Sequence, residues 1–515
     1  MINAAGREIP ASIQGYKEIK NYAGPFATPP PADARKAGPT LKAVYPGENK
    51  LLASIDEAIE AAGLQDGMTI SFHHHFRNGD YVMNRVIAAI AQKGIKGLTL
   101  APSSFLDTND ELIPYFQQGV LIAAETSGLR NKLGQFLTTN KLTKPTIIRS
   151  HGGRVRAIES GELRIDVAFI GAPTCDTYGN INGVHGSAAC GSMGYAMVDS
   201  RMADTVVAIT DNLVDHPICP VSIPQHQVDY IVKVDCIGDP NGISTGALRV
   251  TSNPRDLHIA KLAAKVIEYA GYFKEGFGMQ LGAGAATVAA GKYLREVMLR
   301  DKVAASFAIG GIVGPFCDLL DEGLIRTLFD VQSFEARTIQ SLRDNPRHQE
   351  YDCTFYANPW NKGPMVNKLD YVVLGATEVD INFNVNVMTD SNGIMMGALG
   401  GHPDASAGAK CTIICAPLLR GRLPMVTDAV QTISTPGETV DVIVTDRGVA
   451  VNPKRQDLIE NLKESGLPLM TIEQLRDTAY DLGGKPGPLN ISDEVVAVVE
   501  YRDGTVLDVI RCPVL

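Results

Sequence analysis

Apolar and polar residues alternate in short blocks along the chain from about residue 50 onwards. Short apolar runs predict buried strands, and most are followed by a turn and a segment with apolar residues three or four positions apart, which is typical of a helix. In the first half the predicted strands are GMTISF, IKGLTLA and VLIAAET, and the predicted helices are DYVMNRVIAAIAQKG and NDELIPYFQQG.

The same order of blocks recurs in the second half. FGMQL, KVAASFAIGG and LIRTLFD predict strands, TVAAGKYLREVMLRD and FCDLLDEG predict helices, and GAGAA forms the first turn. The first unit runs from His73 to Gly119, a spacing of 46, and the second from Gly282 to Gly323, a spacing of 41. We infer two related α/β halves whose parallel or mixed sheets are covered by helices on both faces.

The boundaries of these halves follow from composition. Residues 1–50 contain GPFATPPPADARKAGPT, which has no periodicity and predicts an extended N-terminal arm. A break at TSNPRDLH, residues 251–258, divides the rest into predicted domains at 51–255 and 256–515. Ligands of such sheets gather where strands end and helices begin. The GAGAA turn and the histidine turn SFHHHFRNGD, residues 71–80, occupy equivalent places of this kind.

Charge and cysteine usage narrow the class of protein. A net charge of −10 argues against a partner that needs a broad cationic surface, so we expect neither nucleic-acid nor membrane binding. No apolar run approaches the roughly 18 residues of a membrane span, and the start MINAAGREIP lacks a secretory apolar region. The nine cysteines are scattered without a CxxC pair, as expected for reduced thiols. These features predict a soluble, cytoplasmic protein.

The histidine turn has three interpretations. His73 and His75 share one face of a strand while His74 points away. A zinc site needs about three converging protein ligands, and no second cluster with ligand spacing stands nearby, so no metal is predicted. The structural alternative is that the histidines are exposed or cap the core and bind no ligand.

The third interpretation, which we favour, is an anion receptor. Imidazoles, Arg77, Asn78 and amides at a helix start near Gly79 together suit a carboxylate. Asp80 is placed to cap that helix, which is a structural role.

A second cluster of positive charge lies in RSHGGRVRAIESGELRIDVAFIG. Arginine forks suit bidentate carboxylate or phosphate recognition, and the cluster contains Arg149, His151, Arg154 and Arg156. The alternative is a structural loop whose arginines pair with Glu159 or Glu162.

Two glycine-rich turns differ in what they predict. LGAGAAT matches a dinucleotide-binding fingerprint poorly, because Thr287 stands where glycine or alanine is needed and no acidic residue ends the next strand. In GALGGHPDASAGA, residues 397–409, glycines allow close backbone approach and present N–H groups to a developing oxyanion. Asp404 follows as a candidate helix cap, and an ordinary turn is the structural alternative.

Four stretches together resemble the citrate lyase α subunit, a branch of the coenzyme A transferase superfamily. They are SFHHHFRNGD, SHGGRVRAIESGELRIDVAFIGAPTCDTYGNINGVHG, ATEVDINFNVNVMTDSNGIMMGALGGHPD and VDVIVTDRGVAVNP. The resemblance runs from about residue 40 to the end and implies two tandem CoA-transferase-like α/β domains.

The resemblance also implies a reaction and partners. Citrate displaces acetate from acetyl-acyl-carrier-protein to give citryl-carrier-protein and acetate, and a separate β subunit cleaves the citryl thioester. No covalently bound cofactor is implied, since the thioester of acyl-CoA, or of the CoA-derived phosphopantetheine on the carrier γ subunit, is a substrate. A homo-oligomer within a hetero-oligomeric complex is expected.

One departure from the wider superfamily bears on mechanism. Many relatives use a glutamate nucleophile on a segment equivalent to FAIGGIVGPFCDLLDEG, where this chain has Gly310 or Gly311. Asp318 and Asp321 lie downstream on a predicted helix, where we expect capping or solvent roles. Exchange then proceeds through a ternary complex and a mixed anhydride, without a glutamyl thioester.

These interpretations assign roles to individual residues. The predicted acid-binding residues are His73, His74, His75, Arg77, Asn78, Arg154 and Arg156. The predicted thioester-binding residues are Gly397, Gly400, Gly401, Asp404 and Glu378, with Gly400 and Gly401 also catalytic. Glu378 is the strand carboxylate that would replace the absent glutamate. The alternatives are a glutamate-type acetyl-CoA:carboxylate CoA-transferase or acetyl-CoA hydrolase, a non-catalytic scaffold subunit, and citramalate in place of citrate.

Overall fold

The computed structural model describes residue 2 and residues 49–140, 142–244, 251–282 and 284–514. The predicted arm, residues 1–50, therefore lies almost entirely outside the described residues. Within the described ranges, no helix is long and apolar enough to cross a membrane. The nine cysteines are all free, and Cys411–Cys415 forms a buried strand as its apolar pattern predicts.

Ten strands form the first large sheet. All neighbouring pairs are parallel except the last, which is an antiparallel hairpin at the C-terminus of the chain. In spatial order the strands are Leu51–Leu52, Tyr230–Lys233, Thr205–Thr210, Val167–Ala172, Thr69–Ser71, Leu98–Leu100, Leu121–Thr126, Thr146–Ile148, Ile491–Glu500 and Val506–Pro513.

Eight strands form the second large sheet, which is parallel except for its last pair. In spatial order they are His348–Glu350, Leu328–Ser333, Phe307–Ile312, Gly278–Leu281, Tyr371–Gly375, Cys411–Cys415, Val442–Val444 and Val449–Val451. The predicted α/β fold with parallel and mixed sheets is confirmed.

Helices lie between successive strands, because parallel neighbours require a crossover and the apolar stripe of each helix covers the sheet. They span Ile55–Ala61, Val82–Gln92, Ile113–Gln117, Asn131–Thr139, His151–Glu159, Ala196–Met202, Pro240–Ser244, Pro254–Tyr269, Ala285–Asp301, Gly314–Asp321, Ala336–Asp344, Cys353–Ala357, His402–Gly408, Gln456–Leu462 and Ile472–Gly483. Short 3₁₀ helices include His74–Gly79 and Asp107–Leu112.

Smaller strand pairs form loops of similar construction in both halves. Two three-stranded sheets contain Thr174–Asp176 and Glu378–Asp380. The Asp176 carboxylate accepts the backbone amide of Asn180 at 2.9 Å, and the Asp380 carboxylate accepts that of Asn384 at 3.0 Å. Each asparagine side chain donates back to the same aspartate, at 2.8 and 3.1 Å. This repeated loop supports the inference that the two halves are related.

The C-terminal hairpin belongs to the first large sheet, although it follows the strands of the second sheet in the sequence. Ile491–Glu500 pairs in parallel with Thr146–Ile148, so residues from the predicted second domain complete the first sheet. This pairing was not anticipated from the sequence. The proposed division at residues 51–255 and 256–515 separates the other strands of the two large sheets.

Candidate functional site

A cavity of about 450 Å³ lies between the two large sheets. Its walls come from turns at the carboxyl ends of strands in both sheets, the position where α/β sheets bind ligands. The histidine turn contributes His74, Arg77 and Asn78 from one side, and residues 398–402 of the glycine-rich turn contribute from another. The two motifs that the sequence singled out therefore meet at one cavity.

The three histidines divide between core and cavity. His73 and His75 stack on each other at 5.8 Å inside the protein, and burial lowers their pKa values to about 3 and about 4. His74 lines the cavity, and its ring centre lies 4.5 Å from that of Tyr195, with the two planes tilted by 31°. His73 and His75 do share a face, but that face is the interior, so they do not line the cavity as predicted substrate ligands.

Ser103 holds the ring of His74 in a fixed orientation. The His74 Nδ1 lies 2.6 Å from the Ser103 Oγ, and the His74 backbone amide donates to the same oxygen at 3.0 Å. Burial keeps the pKa of His74 well below its usual value, so the ring is neutral near pH 7. If Ser103 donates its proton to Nδ1, the neutral ring presents Nε2–H as a donor toward the cavity.

Arg77 has an unusual backbone conformation. Its φ is 53° and its ψ is −139°, in a region that non-glycine residues rarely adopt and that costs about 1–3 kcal/mol. One guanidinium nitrogen donates to the Phe334 carbonyl at 3.0 Å, and the guanidinium lies 4.1 Å above the Phe334 ring. The other terminal nitrogen, Nη2, is buried without a hydrogen-bond partner. Burial lowers the Arg77 pKa to about 10, so the residue remains cationic at pH 7.

The helix start beside this turn is closed by Asp80. Its carboxylate accepts the Val82 amide at 2.8 Å, which satisfies the predicted capping role. This amide is consequently not available to a ligand, unlike the open helix start that we predicted near Gly79. Asn78 lines the cavity, and its side-chain amide contacts the carboxylate of Asp107 at 3.3 Å.

His151 and Arg130 complete this side of the cavity. The ring of His151 packs at a 43° tilt against that of Tyr195, 4.5 Å between centres, and burial lowers the pKa of His151 to about 3. Arg130 follows the strand Leu121–Thr126 and is half-buried at the cavity wall. Sequence reasoning did not identify Arg130, because it lies in a loop without a motif.

The glycine-rich turn presents its backbone to the cavity. Gly400 has a φ of +54°, which favours glycine, and its carbonyl accepts the His151 amide at 2.8 Å. Within the described ranges, the backbone amides of Gly400 and Gly401 donate to no other residue. A Cβ at Gly401 would overlap the Tyr356 hydroxyl, which is hydrogen-bonded to Gln280. The amides of Gly400 and Gly401, which we expect to face an oxyanion, thus have no hydrogen-bond partner in the described chain.

The second sheet forms the opposite wall. Gly310 and Gly311 line the cavity at a register shift in Phe307–Ile312. Gly310 has a φ of +106°, and a Cβ on it would lie 3.1 Å from the Gln280 amide. The place where a glutamate nucleophile was considered therefore faces the cavity, and it carries no side chain.

Four further predicted residues, all charged, lie outside the cavity lining, as His73 and His75 do. Arg154 forms a bidentate pair with the buried Asp199 at 2.7 and 2.8 Å, and Arg156 pairs with Glu162. Asp404 accepts the amide of Gly152 and the hydroxyl of Ser150, both at 2.9 Å, so it caps the helix His151–Glu159. Glu378 accepts from Asn386 at 3.0 Å and from the Gln431 amide at 3.1 Å.

The positions of these four residues correct our predictions for them. The arginines are ion-paired, and Arg156 has one of the two partners named in the structural alternative. Asp404 joins the glycine-rich turn to the first sheet instead of facing the thioester site. Gly397 also lies outside the lining and packs against the backbone of Val387, whose carbonyl a Cβ would overlap. Asp318 and Asp321 are solvent-exposed, as expected.

The charge of the cavity is entirely basic. Its lining contains Arg77 and Arg130, and no aspartate or glutamate occurs among the described residues that line it. The described residues contain no group of three or more histidine, cysteine or acidic residues that would hold a metal ion. An anion is the ligand that this arrangement stabilises.

Comparison with known proteins identifies relatives along nearly the whole chain. The family model "Citrate lyase, alpha subunit (CitF)" matches residues 48–512. The citrate lyase alpha chain of Klebsiella pneumoniae is 54% identical over 464 residues, which cover 90% of this chain and 91% of the relative.

Solved structures agree with this assignment. A crystal structure from Streptococcus mutans, described as an alpha subunit of citrate lyase in complex with citrate, has 48% identity and a TM-score of 0.91 and covers 100% of both chains. A 4-hydroxybutyrate CoA-transferase from Porphyromonas gingivalis shares the fold, with 16% identity and a TM-score of 0.54 over 84% of this chain and 96% of that one. The chain belongs to the citrate lyase alpha subunit family.

Proposed function

We propose that this protein transfers the acyl-carrier thioester from acetate to citrate, giving citryl-carrier and acetate. The observation that carries the proposal is a cavity with two arginines, neutral imidazoles and no acidic lining residue in the described chain. Such a site suits a small polycarboxylate. The citrate bound to the Streptococcus mutans relative adds support, because that chain is 48% identical to this one.

The residues that line the cavity fall into two groups, one that binds citrate and one that stabilises the oxyanion. Arg77, Asn78 and His74 bind carboxylates of citrate, while the free amides of Gly400 and Gly401 stabilise the oxyanion of the thioester carbonyl. Removing one such donor typically costs about 3 kcal/mol of transition-state stabilisation. Holding both substrates in line supplies up to roughly 7–11 kcal/mol.

The chemical steps balance without ATP. A citrate carboxylate oxygen attacks the acetyl carbonyl, the carbon–sulfur bond breaks, and the carrier leaves as a thiolate. This gives a mixed anhydride of citrate and acetate. The thiolate then attacks the citryl carbonyl of the anhydride and expels acetate, so one thioester replaces another.

The proposal extends to partners. The donor thioester is that of the carrier γ subunit, with acyl-CoA as a surrogate, and a β subunit cleaves the citryl product. A scaffold without catalysis is disfavoured, because both ligand-type turns reach one cavity and keep unpaired donors there.

Citrate-dependent release of acetate from acetyl-CoA tests the function directly. Arg77→Ala should raise KM for citrate about tenfold to a hundredfold, the cost of one charge-assisted contact, and should leave KM for acetyl-CoA nearly unchanged. Arg85→Ala is a matched control. Arg85 is exposed on the helix Val82–Gln92, its guanidinium lies over the Tyr81 ring, and it is outside the cavity lining. No acetate release from the wild-type protein in the presence of citrate would refute the function. An equal rise in both KM values would refute the role of Arg77.

The pH dependence of citrate binding follows from the neutral histidines. Burial holds the pKa of His151 at about 3 and keeps that of His74 well below its usual value, so neither loses a proton between pH 6 and 8. These two imidazoles should therefore contribute no change to kcat/KM, expressed per fully ionised citrate, across this range; a change that follows the pKa of Asp80, which burial raises to about 7, has a different origin. A histidine cation that bound citrate would instead make kcat/KM fall as the pH rises through its pKa, and that result would contradict the neutral assignment.

A further inference from the structure

Arg130, like Arg77, differs from most of the buried or half-buried arginines of this region. Arg149 pairs with Glu125 and Glu500, Arg154 with Asp199, and Arg201 with Asp352. Arg130 lines the cavity, and in the described part of the chain it makes no ion pair and no side-chain hydrogen bond. Its five donors are therefore available to a ligand.

The backbone of Arg130 is fixed against the glycine-rich turn. The preceding amide, Leu129, donates to the Gly397 carbonyl at 2.9 Å, and Gly128 pairs with Ala398. The following residue, Asn131, has a φ of +50°, a conformation that non-glycine residues adopt infrequently. Arg130 is thus held beside the residues that present the oxyanion amides, although its side chain is unpaired.

Arg77 and Arg130 lie at two places on the same side of the cavity. Arg77 lies on the turn after Thr69–Ser71 and contacts Phe334, and Arg130 follows Leu121–Thr126, so the two arginines come from different strands of the first sheet. The pKa of Arg77 is lowered mainly by burial, and the nearby positive charge of Arg130 lowers it further. Two unpaired cations facing a cavity without acidic residues are best neutralised by two carboxylates.

We propose that Arg130 binds a second carboxylate of the substrate and thereby distinguishes tricarboxylates from dicarboxylates. The proposal rests on the proposed function. Arg77 holds one carboxylate, Arg130 holds another, and the third remains for reaction beside Gly400 and Gly401. A dicarboxylate such as citramalate, which has a methyl group in place of one carboxymethyl arm, leaves Arg130 without a partner.

The test combines two changes. Arg130 is substituted in the protein, and one carboxylate is removed from the ligand by using citramalate in place of citrate. KM for citrate and the inhibition constant of citramalate against citrate are measured in the wild type, Arg130→Met and Arg130→Lys. We expect Arg130→Met to raise KM for citrate about tenfold to a hundredfold and to change the citramalate inhibition constant less than about threefold. Arg130→Lys keeps the positive charge but not the forked guanidinium, so its KM for citrate should lie between those of the wild type and Arg130→Met.

Controls separate the possible outcomes. Arg164→Met removes an exposed arginine that pairs with Asp204 and should change neither constant. Thermal unfolding of each variant verifies that it remains folded. Equal weakening of citrate and citramalate by Arg130→Met would overturn the proposal and leave the proposed function standing. A wild-type protein that releases no acetate with citrate would instead refute the proposed function.

Discussion

Replacement of Gly401 by valine is expected to lower turnover at least a hundredfold in a protein that remains folded. A Cβ at this position would overlap the Tyr356 hydroxyl, which is buried and hydrogen-bonded to Gln280 at 2.9 Å. Either the tyrosine or the backbone of residues 400–401 must move. The amide of Gly401 would then be misplaced, and loss of one oxyanion donor costs about 10²–10³ in turnover.

Two further variants distinguish this cause from general damage. Gly363→Val introduces the same side chain at an exposed glycine with open space around its Cβ, and it should keep near-normal turnover. Adding Tyr356→Phe to Gly401→Ala removes the atom that a Cβ meets first, so the double variant should recover part of the turnover lost in Gly401→Ala. Near-normal turnover of a folded Gly401→Val protein would show that the loop is only a turn.

The regular elements of the fold could be predicted because their signals are local. Apolar runs bounded by glycine indicate Leu121–Thr126 and Gly278–Leu281 directly, and three- and four-residue spacing indicates Ala285–Asp301. The C-terminal hairpin gives no comparable signal for its place in the fold. Ile491–Glu500 pairs with Thr146–Ile148, which lies more than 300 residues earlier in the chain, and the residues of either strand do not specify the partner.

The location of the candidate site could be predicted from the sequence, because it depends on which turns of the backbone reach the cavity. The turn after Thr69–Ser71 reaches the cavity because it follows the carboxyl end of a parallel strand, and the glycine-rich turn reaches it at the start of the helix His402–Gly408. Side-chain partners were not predictable in the same way. Arg154 resembles a ligand residue in the sequence, but Asp199, which lies 45 positions further on, neutralises it in the core.

Strand alternation predicted that His74 would be separated from His73 and His75, but the strand ends at Ser71 and His74–Gly79 is a 3₁₀ helix, so alternation is not the physical reason. Alternation also does not tell which side chains face the core. The cavity lining answers that question: all three histidines are buried, and of the three the lining contains His74 alone. Conversely, Arg130 was missed because its significance lies in the absence of an acidic partner among the described residues, which only a three-dimensional structure reveals.

The protein is expected to remain active after treatment with acetyl-CoA and borohydride in the absence of citrate. A glutamate-type transferase is acylated by its donor alone, and borohydride reduces the resulting enzyme thioester. Here the equivalent wall of the cavity is formed by Gly310 and Gly311, and no acidic residue lines the cavity within the described chain. Glu378, the strand carboxylate considered as a substitute, is instead held by Asn386 and the Gln431 amide.

The kinetics should agree with this absence of a nucleophile. Because citrate itself must attack the acetyl thioester, both substrates have to be bound before either bond breaks, and initial-rate plots should intersect instead of running parallel. Glu378→Gln preserves the size of the side chain and its acceptor oxygen, so we expect turnover within about threefold of the wild type, since the residue lies outside the cavity. Parallel plots, or borohydride inactivation with a mass change on one glutamate peptide, would replace the ternary complex with a covalent mechanism. Loss of that inactivation in Glu378→Gln would then identify the nucleophile.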